Sequence, residues 1–313
     1  MKSRPERSKL LTLFLASRPS FLTASAAPIL VGSALGYAAA GTFSPALFIL
    51  ALLAIMALHA GANMANDYFD HISGNDWLNP NPTPFSGGSR YIQNDILSAK
   101  AIILAALFFL TVASALGLII VLLTRSLFIL AIGIIGMLGG FFYTAPPLKL
   151  GYRAVGEPVI AILFGLLPVY GAYYLQTRTL DTIVLLPASI VALLIFLVIL
   201  INEFPDLNAD AAVNKKTLVV SFGVQASIWI YRTAIIASFI IAAAAIFTHR
   251  IMFFAGIFYL LALPVAIIAM KFANPKNLTT PRCCSANRIT ILLHIVGSLA
   301  LSAGFLLSAL ISD

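Results

Sequence analysis

Cysteine, histidine and acid are all scarce in this chain of 313 residues, and each scarcity removes a class of function. The two cysteines, Cys283 and Cys284, are adjacent, which gives neither a disulfide framework nor the ligand spacing of a zinc site. They read as ordinary thiols. The four histidines, His59, His71, His249 and His294, are scattered and make no ligand constellation. No nucleophile elbow, Walker loop or dinucleotide fingerprint is present. Gly136, Gly139 and Gly140 sit in a hydrophobic stretch, where they allow close helix packing rather than cofactor binding. Charge of either sign is limited to 10% of residues, against 61% hydrophobic, and the mean hydropathy is +1.01. A soluble domain with a hydrated surface is excluded.

Long apolar runs fill the space that charge leaves. Stretches able to cross about 30 Å of hydrocarbon fall at 21–40, 45–65, 99–123, 126–143, 157–175, 183–202, 225–247, 251–270 and 289–310, so the expectation is an all-α integral membrane protein, a bundle of nine transmembrane helices. Residues 1–17 form a basic N-terminal segment ahead of a retained first span, and 1–313 reads as a single membrane domain. With the N-terminus cytoplasmic, all of the nineteen Lys and Arg except Arg125, Arg178 and Arg250 fall on the inner side. A miscounted helix would scramble that split, so the positive-inside rule supports both count and orientation, with the C-terminus outside a cell membrane. The net charge of +8 then reflects topology and anionic lipid, not nucleic acid.

Acid is concentrated where it is present. Asn63, Asn66, Asp67, Asp70 and Asp76 form one cluster and Asn202, Glu203, Asp206 and Asp210 another, which places six of eleven carboxylates at two helix ends. Residues three and four apart share a helix face, so Asn63, Asn66, Asp67 and Asp70 predict one oxygen-rich stripe. Asn202, Asp206 and Asp210 predict a second, at i, i+4 and i+8. Pro205 lies inside that second stripe and favours a break there. Carboxylates at a membrane edge are costly to desolvate and call for a positive partner. Mg²⁺ takes one or two carboxylates, waters and substrate phosphate oxygens, so two facing stripes can hold two ions on one diphosphate. Asn and Asp also cap helices and form turns at membrane surfaces; two clusters in otherwise acid-poor connections argue against that for the whole set. A secondary transporter would carry its acids in mid-span, whereas these stand at cytoplasmic ends.

The segments 66–98, 143–153 and 203–224 are the polar connections of that face. In the first, Asn79-Pro-Asn-Pro-Thr-Pro-Phe-Ser-Gly-Gly-Ser-Arg90 is stiffened by prolines and freed by Gly87 and Gly88, letting backbone N–H groups approach an anion. Arg90, Lys149 and Arg153 each have two readings, phosphate binding or snorkelling to headgroups; Arg18 is a weaker candidate of the same kind. Tyr143, with Phe142, Tyr170, Tyr173 and Tyr174, lies near a membrane interface or within a span and reads as an interfacial-belt or packing residue, although an aromatic face also stabilises a cation above it.

On these residues the chain resembles the UbiA family of intramembrane aromatic prenyltransferases over nearly its whole length. Asn63-Met-Ala-Asn-Asp-Tyr-Phe-Asp-His-Ile-Ser-Gly-Asn-Asp76 is similar to the family's first Asp-rich signature, and Asn202-Glu-Phe-Pro-Asp-Leu-Asn-Ala-Asp210 with Lys215-Lys-Thr-Leu218 to the second. Tyr143-Thr, Gly151-Tyr-Arg-Ala-Val-Gly-Glu157 and Tyr173-Tyr-Leu-Gln-Thr177 look most like the menaquinone branch, which transfers a polyprenyl chain to 1,4-dihydroxy-2-naphthoate. Glu203-Phe-Pro205 departs from the Asn/Arg-rich stretch common at that place. The resemblance implies a central cavity capped by cytoplasmic loops and open sideways to lipid. It implies Mg²⁺ held by Asn66, Asp67, Asp70 and Asp76 and by Asn202, Asp206 and Asp210, with Asp70 and Asp206 essential to catalysis. Arg90, Lys149, Arg153 and Lys216 would neutralise the diphosphate, and Tyr143 would face the allylic cation. The implied partners are a polyprenyl diphosphate, an aromatic acid and membrane lipid; 4-hydroxybenzoate or another quinone or lipid acceptor is the alternative.

Overall fold

Consecutive apolar residues drive almost every regular element here to be helical, because only a helix satisfies its own backbone within a bilayer. The computed structural model describes residues 8–80 and 82–312. Lys2, Arg4 and Arg7 of the basic segment, Asn81 of the proline-rich loop and the side chain of Arg250 lie outside what it describes. In chain order the α-helices are α1 (Lys9–Ala16), α2 (Thr23–Ala40), α3 (Pro45–Ser73), α4 (Asn75–Leu78), α5 (Ala99–Thr124), α6 (Leu127–Phe141), α7 (Gly156–Ala161), α8 (Leu167–Thr177), α9 (Leu185–Glu203), α10 (Leu207–Ala212), α11 (Leu218–Ala245), α12 (Arg250–Leu260), α13 (Leu263–Phe272), α14 (Pro275–Leu278) and α15 (Cys283–Ser312). A π-helical segment, Ile162–Leu166, joins α7 to α8.

Seven of these helical units are long and apolar enough to cross a membrane, which makes this a multi-pass membrane protein. α12 and α13 form an eighth only if taken together, since they meet at a bend of 45°. The stretch expected at 126–143 is the 15-residue α6, shorter than the others. α3 also outruns its expected end at 65 by two turns, reaching Ser73, because Asn66 to Ser73 continue the helix although they are too polar to continue the apolar run.

Lipid offers no hydrophobic reward for burying Leu against Leu, so close packing and small residues hold such helices together. Gly32 of α2 lies against Val169 and Ala172 of α8 with no room for a Cβ, and Gly61 of α3 packs less tightly but still closely on Leu110 and Ala106 of α5. The largest core, with Leu194, Leu197, Tyr231, Tyr259 and Phe305 fully buried, joins α9, α11, α12 and α15. Outward-facing side chains such as Leu104, Phe108, Leu118 and Leu122 of α5 stay exposed, as a lipid-facing belt requires.

Candidate active site

Both acidic clusters reach the same end of the bundle, and each is shaped by the residue that stops its helix. Gly74 adopts φ +81° at the end of α3, so the chain turns at once into the short α4 and carries Asn75 and Asp76 back under the helix end. On α3 the Asn66 amide donates to Asp70 Oδ2 at 3.0 Å. In the second cluster α9 stops at Glu203, and Pro205 separates it from α10. Asn202, Asp206 and Asp210 therefore do not share one continuous helix face as their spacing suggested. The break nevertheless leaves all three on one cavity wall.

Side-chain amides stitch the clusters to each other. Asn75 Nδ2 donates to Asp210 Oδ1 at 2.7 Å, and Asn79 Nδ2 donates to Asp206 Oδ1 at 2.7 Å. The Gly87 N–H reaches Asp206 Oδ2 at 3.1 Å. Gly87 and Gly88 hold φ +76° and +72°, and a Cβ on Gly88 would run into the Asp76 carboxylate. The glycine pair thus lays its backbone over the acids, as its sequence suggested, but toward carboxylates of the protein itself.

Between the clusters lies a cavity of about 190 Å³. Asn63, Asn66, Asp70 and Asp76 line it from one side, and Asn202, Glu203, Asp206 and Asp210 from the other. Tyr143 also faces it, its ring packed against Gly151 and Gly156. Asp67 does not line it: its carboxylate turns toward the 79–90 loop and accepts the Ser89 N–H at 3.2 Å from each oxygen. A second cavity of about 450 Å³, almost wholly apolar, adjoins the first through neighbouring residues, Leu58 next to His59 and Leu163 next to Phe164.

The cation at the centre is Lys215, to which sequence reasoning assigned no role. Its Nζ lies 3.1 Å from Asp70 Oδ2 and 3.5 Å from Asp210 Oδ1, tying one cluster to the other. Backbone pairing places it there. The Ala154 N–H donates to the Lys216 carbonyl and the Lys216 N–H to the Tyr152 carbonyl, zipping the third connection onto the second. Tyr152 follows, its hydroxyl 3.0 Å from both Asp70 Oδ1 and Ser73 Oγ, with the ammonium groups of Lys149 and Lys215 at 5.2 and 5.6 Å from its ring centre.

The four cations expected at a diphosphate stand further out. Arg90 donates to the backbone carbonyl of Asp76, Arg153 Nε donates to the Leu148 carbonyl at 2.6 Å, and neither of these nor Lys149 or Lys216 lines the cavity. Arg18 and Lys215 do. The spacing signal pointed to charged residues in these connections but could not say which side chains turn inward.

Burial first, then the charges of Asp70 and Asp67, pushes the Asp76 carboxyl up to about 8. Burial and Asp210 push Asp206 up to about 7, and burial raises Asp210 against the opposing pull of Lys215. Burial works against the Lys215 ammonium, yet Asp210 and Asp70 outweigh it and hold its pKa well above the ordinary lysine value. So many carboxylates around one lysine are short of positive charge, and they present hard oxygen donors, which fits a divalent cation of the Mg²⁺ type. Among the described residues no three His, Cys, Asp or Glu side chains converge on one point. An ion here needs the Asn oxygens and those of a ligand as well.

The bundle thus brings two acid-bearing helix breaks to one cavity beside an apolar one. The chain belongs to the UbiA prenyltransferase family, which matches residues 25–284, and is a prenyltransferase. A 1,4-dihydroxy-2-naphthoate octaprenyltransferase from Haemophilus influenzae is 30% identical over 92% of this chain and 94% of that protein. A 2-carboxy-1,4-naphthoquinone phytyltransferase from Synechocystis sp. is 25% identical over 94% of this chain and 92% of its own. In fold, the chain is similar to a UbiA homolog from Archaeoglobus fulgidus bound to DMAPP and Mg²⁺, with TM-score 0.64 and 16% identity over 93% of this chain and 99% of that one. The apo UbiA homolog from Aeropyrum pernix K1 gives TM-score 0.66 at 15% identity, over 92% and 98%.

Proposed function

We propose that this protein transfers a polyprenyl group from polyprenyl diphosphate to 1,4-dihydroxy-2-naphthoate, a step of menaquinone biosynthesis. The observation that carries the reading is the convergence of two separate acidic segments on one cavity beside an apolar one. Asn66, Asp70 and Asp76 would hold one Mg²⁺ and Asn202, Asp206 and Asp210 the other, and the bound ions supply charge stabilisation to the departing diphosphate. Lys215 neutralises the same anion directly, with Arg90, Lys149, Arg153 and Lys216 as the outer ring of positive charge. The C1–O bond of the prenyl diphosphate breaks with its electron pair going to the diphosphate, and Tyr143 presents its ring to the allylic centre. The acceptor carbon bearing the carboxylate attacks C1; carbon dioxide then leaves and the ring regains aromaticity. The loop over Gly87 and Gly88 keeps out the water that would quench the cation.

The same reading counts α6 and the α12–α13 pair as spans, giving nine. It sets the N-terminus and the capping loops on the cytoplasmic side of the cell membrane, the C-terminus outside, and treats 1–313 as one domain. The prenyl tail lies in the apolar cavity and the lipid beyond it. Incubation of purified protein with Mg²⁺, a polyprenyl diphosphate and a panel of aromatic acids, read by product mass, tests it. A decarboxylated prenyl naphthohydroquinone is expected; product from 4-hydroxybenzoate alone would replace the acceptor.

A further inference from the structure

Pro205 does more than stop α9. In a helix the Ile201 carbonyl accepts the N–H four residues on, and the proline at that place has none to give. The carbonyl is not left bare. Asn287, on the second turn of α15, donates its side-chain Nδ2 to the Ile201 oxygen at 3.2 Å. The same nitrogen donates to Asn202 Oδ1 at 2.6 Å. One carboxamide of the last helix thus replaces the missing backbone donor and grips the first residue of the second acidic cluster.

Helix packing alone does not call for this residue. Asn287 is 0% exposed, and among the described residues its own Oδ1 has no hydrogen-bond partner. A buried amide oxygen without a partner costs free energy that a leucine in the same place would not. The compensation lies in its two N–H groups, one for each acceptor. The Ile201 carbonyl also fixes which way the amide points, since turned over it would set Oδ1 against another oxygen. Asn202 must then present its oxygen, not its nitrogen, to Asn287, and a carbonyl oxygen keeps a second lone pair for another partner. Asn202 lines the acid-bearing cavity and Asn287 does not. A donor standing behind a metal-ligating group in this way holds it in one orientation.

We propose that Asn287 is a positioning residue for the second metal site, fixing the Asn202 carboxamide so that its oxygen serves the ion expected at Asp206 and Asp210. This rests on the two-ion reading above. The test reads metal affinity rather than turnover: protein in nanodiscs binds geranyl diphosphate without acceptor in equilibrium dialysis while Mg²⁺ is varied. Asn287→Leu raises the half-saturating Mg²⁺ concentration by about 10–100-fold. Asn202→Ala does at least as much, and the double variant is no worse than Asn202→Ala alone, because one residue acts through the other. Thr290→Val removes the 2.6 Å hydroxyl contact to Tyr231 one turn along α15 and leaves the Mg²⁺ requirement where it is. Thermal unfolding in chelator reports folding, and Asn287→Ala replaces Asn287→Leu if leucine is not accommodated. A folded Asn287 variant with an unaltered Mg²⁺ requirement, or one whose effect adds in full to that of Asn202→Ala, overturns the assignment. An equal loss in Thr290→Val overturns it too, since any disturbance of α15 would then suffice. Geranyl diphosphate binding that needs no Mg²⁺ in the unaltered protein overturns the two-ion reading and the assignment together.

Discussion

Replacing Lys215 by methionine keeps the length of the side chain and removes the one charge that joins the two clusters. At 3.1 and 3.5 Å, and with an effective dielectric constant of about 20, its attraction to Asp70 and to Asp210 is about 5 kcal/mol each before desolvation is subtracted. The Lys215, Asp70 and Asp210 side chains are only 12%, 6% and 2% exposed, so water does little to screen them. Deleting one member of a buried pair commonly costs about 3–5 kcal/mol, because the charge left behind has no partner. In metal-free protein at pH 7.5, Lys215→Met should therefore lower the thermal unfolding midpoint in detergent by several degrees or more. Mg²⁺ should restore much of the difference by taking the vacated charge. With saturating Mg²⁺, kcat/KM for the prenyl diphosphate should fall by about 10²–10³, the usual cost of one lost donor to a developing anion. The KM for the acceptor should change little. A variant as stable as the parent without metal, or one impaired equally toward both substrates, would refute the reasoning. The lysine itself does not titrate in this range: its raised pKa keeps its contribution present up to about 10.4, the unperturbed lysine value, and beyond.

Carboxyls whose folded pKa is raised contribute stability below their unfolded value, about 3.9, and lose it as pH climbs toward the folded one. Asp76 at about 8 and Asp206 at about 7 therefore predict that metal-free protein loses stability steadily from about pH 4 to about pH 7–8 and levels off above, while the Mg²⁺-induced rise in unfolding midpoint grows over the same window; a flat profile with chelator counts against the charge-poor site. Gly88→Ala places a methyl group against the Asp76 carboxylate at φ +72°, so a loss of more than about 1 kcal/mol is expected, together with weaker Mg²⁺ stabilisation, both read by thermal unfolding. In a variant lacking Cys283 and Cys284, cysteines at Asn79, Asn208 and Lys276 should label from the cytoplasmic side alone and one at Thr179 from outside; labelling of Asn79 and Asn208 from opposite faces contradicts a shared site.

The hydrophobic runs were legible because a membrane span is a contiguous signal, and eight of the nine expected stretches coincide with a long helix or a bent helical pair. α6 coincides too, but at 15 residues it falls short of the length that would mark it as a span unaided. Residues that depend on tertiary geometry were not legible. Asp67 shares its helical stripe with Asp70, yet Ser89 draws it outward. Asn75 and Asn79 look like turn residues until Gly74 folds them beneath the second cluster. Lys215 and Lys216 are identical neighbours in sequence, and only the backbone pairing of 152–154 with 216 decides that Lys215 points inward. Arg18 was visible as a basic residue before a span, but its αL turn over Phe21 was not.

The most direct test of the account is metal-dependent turnover by the purified protein with a polyprenyl diphosphate and 1,4-dihydroxy-2-naphthoate, following prenylated product and released diphosphate together. Equal amounts of the two should appear with Mg²⁺ and none in excess chelator, and Asp70→Ala and Asp206→Ala should each abolish both while the variants stay folded. Full turnover in chelator, or in either variant, would contradict a reaction that depends on both acidic segments at once.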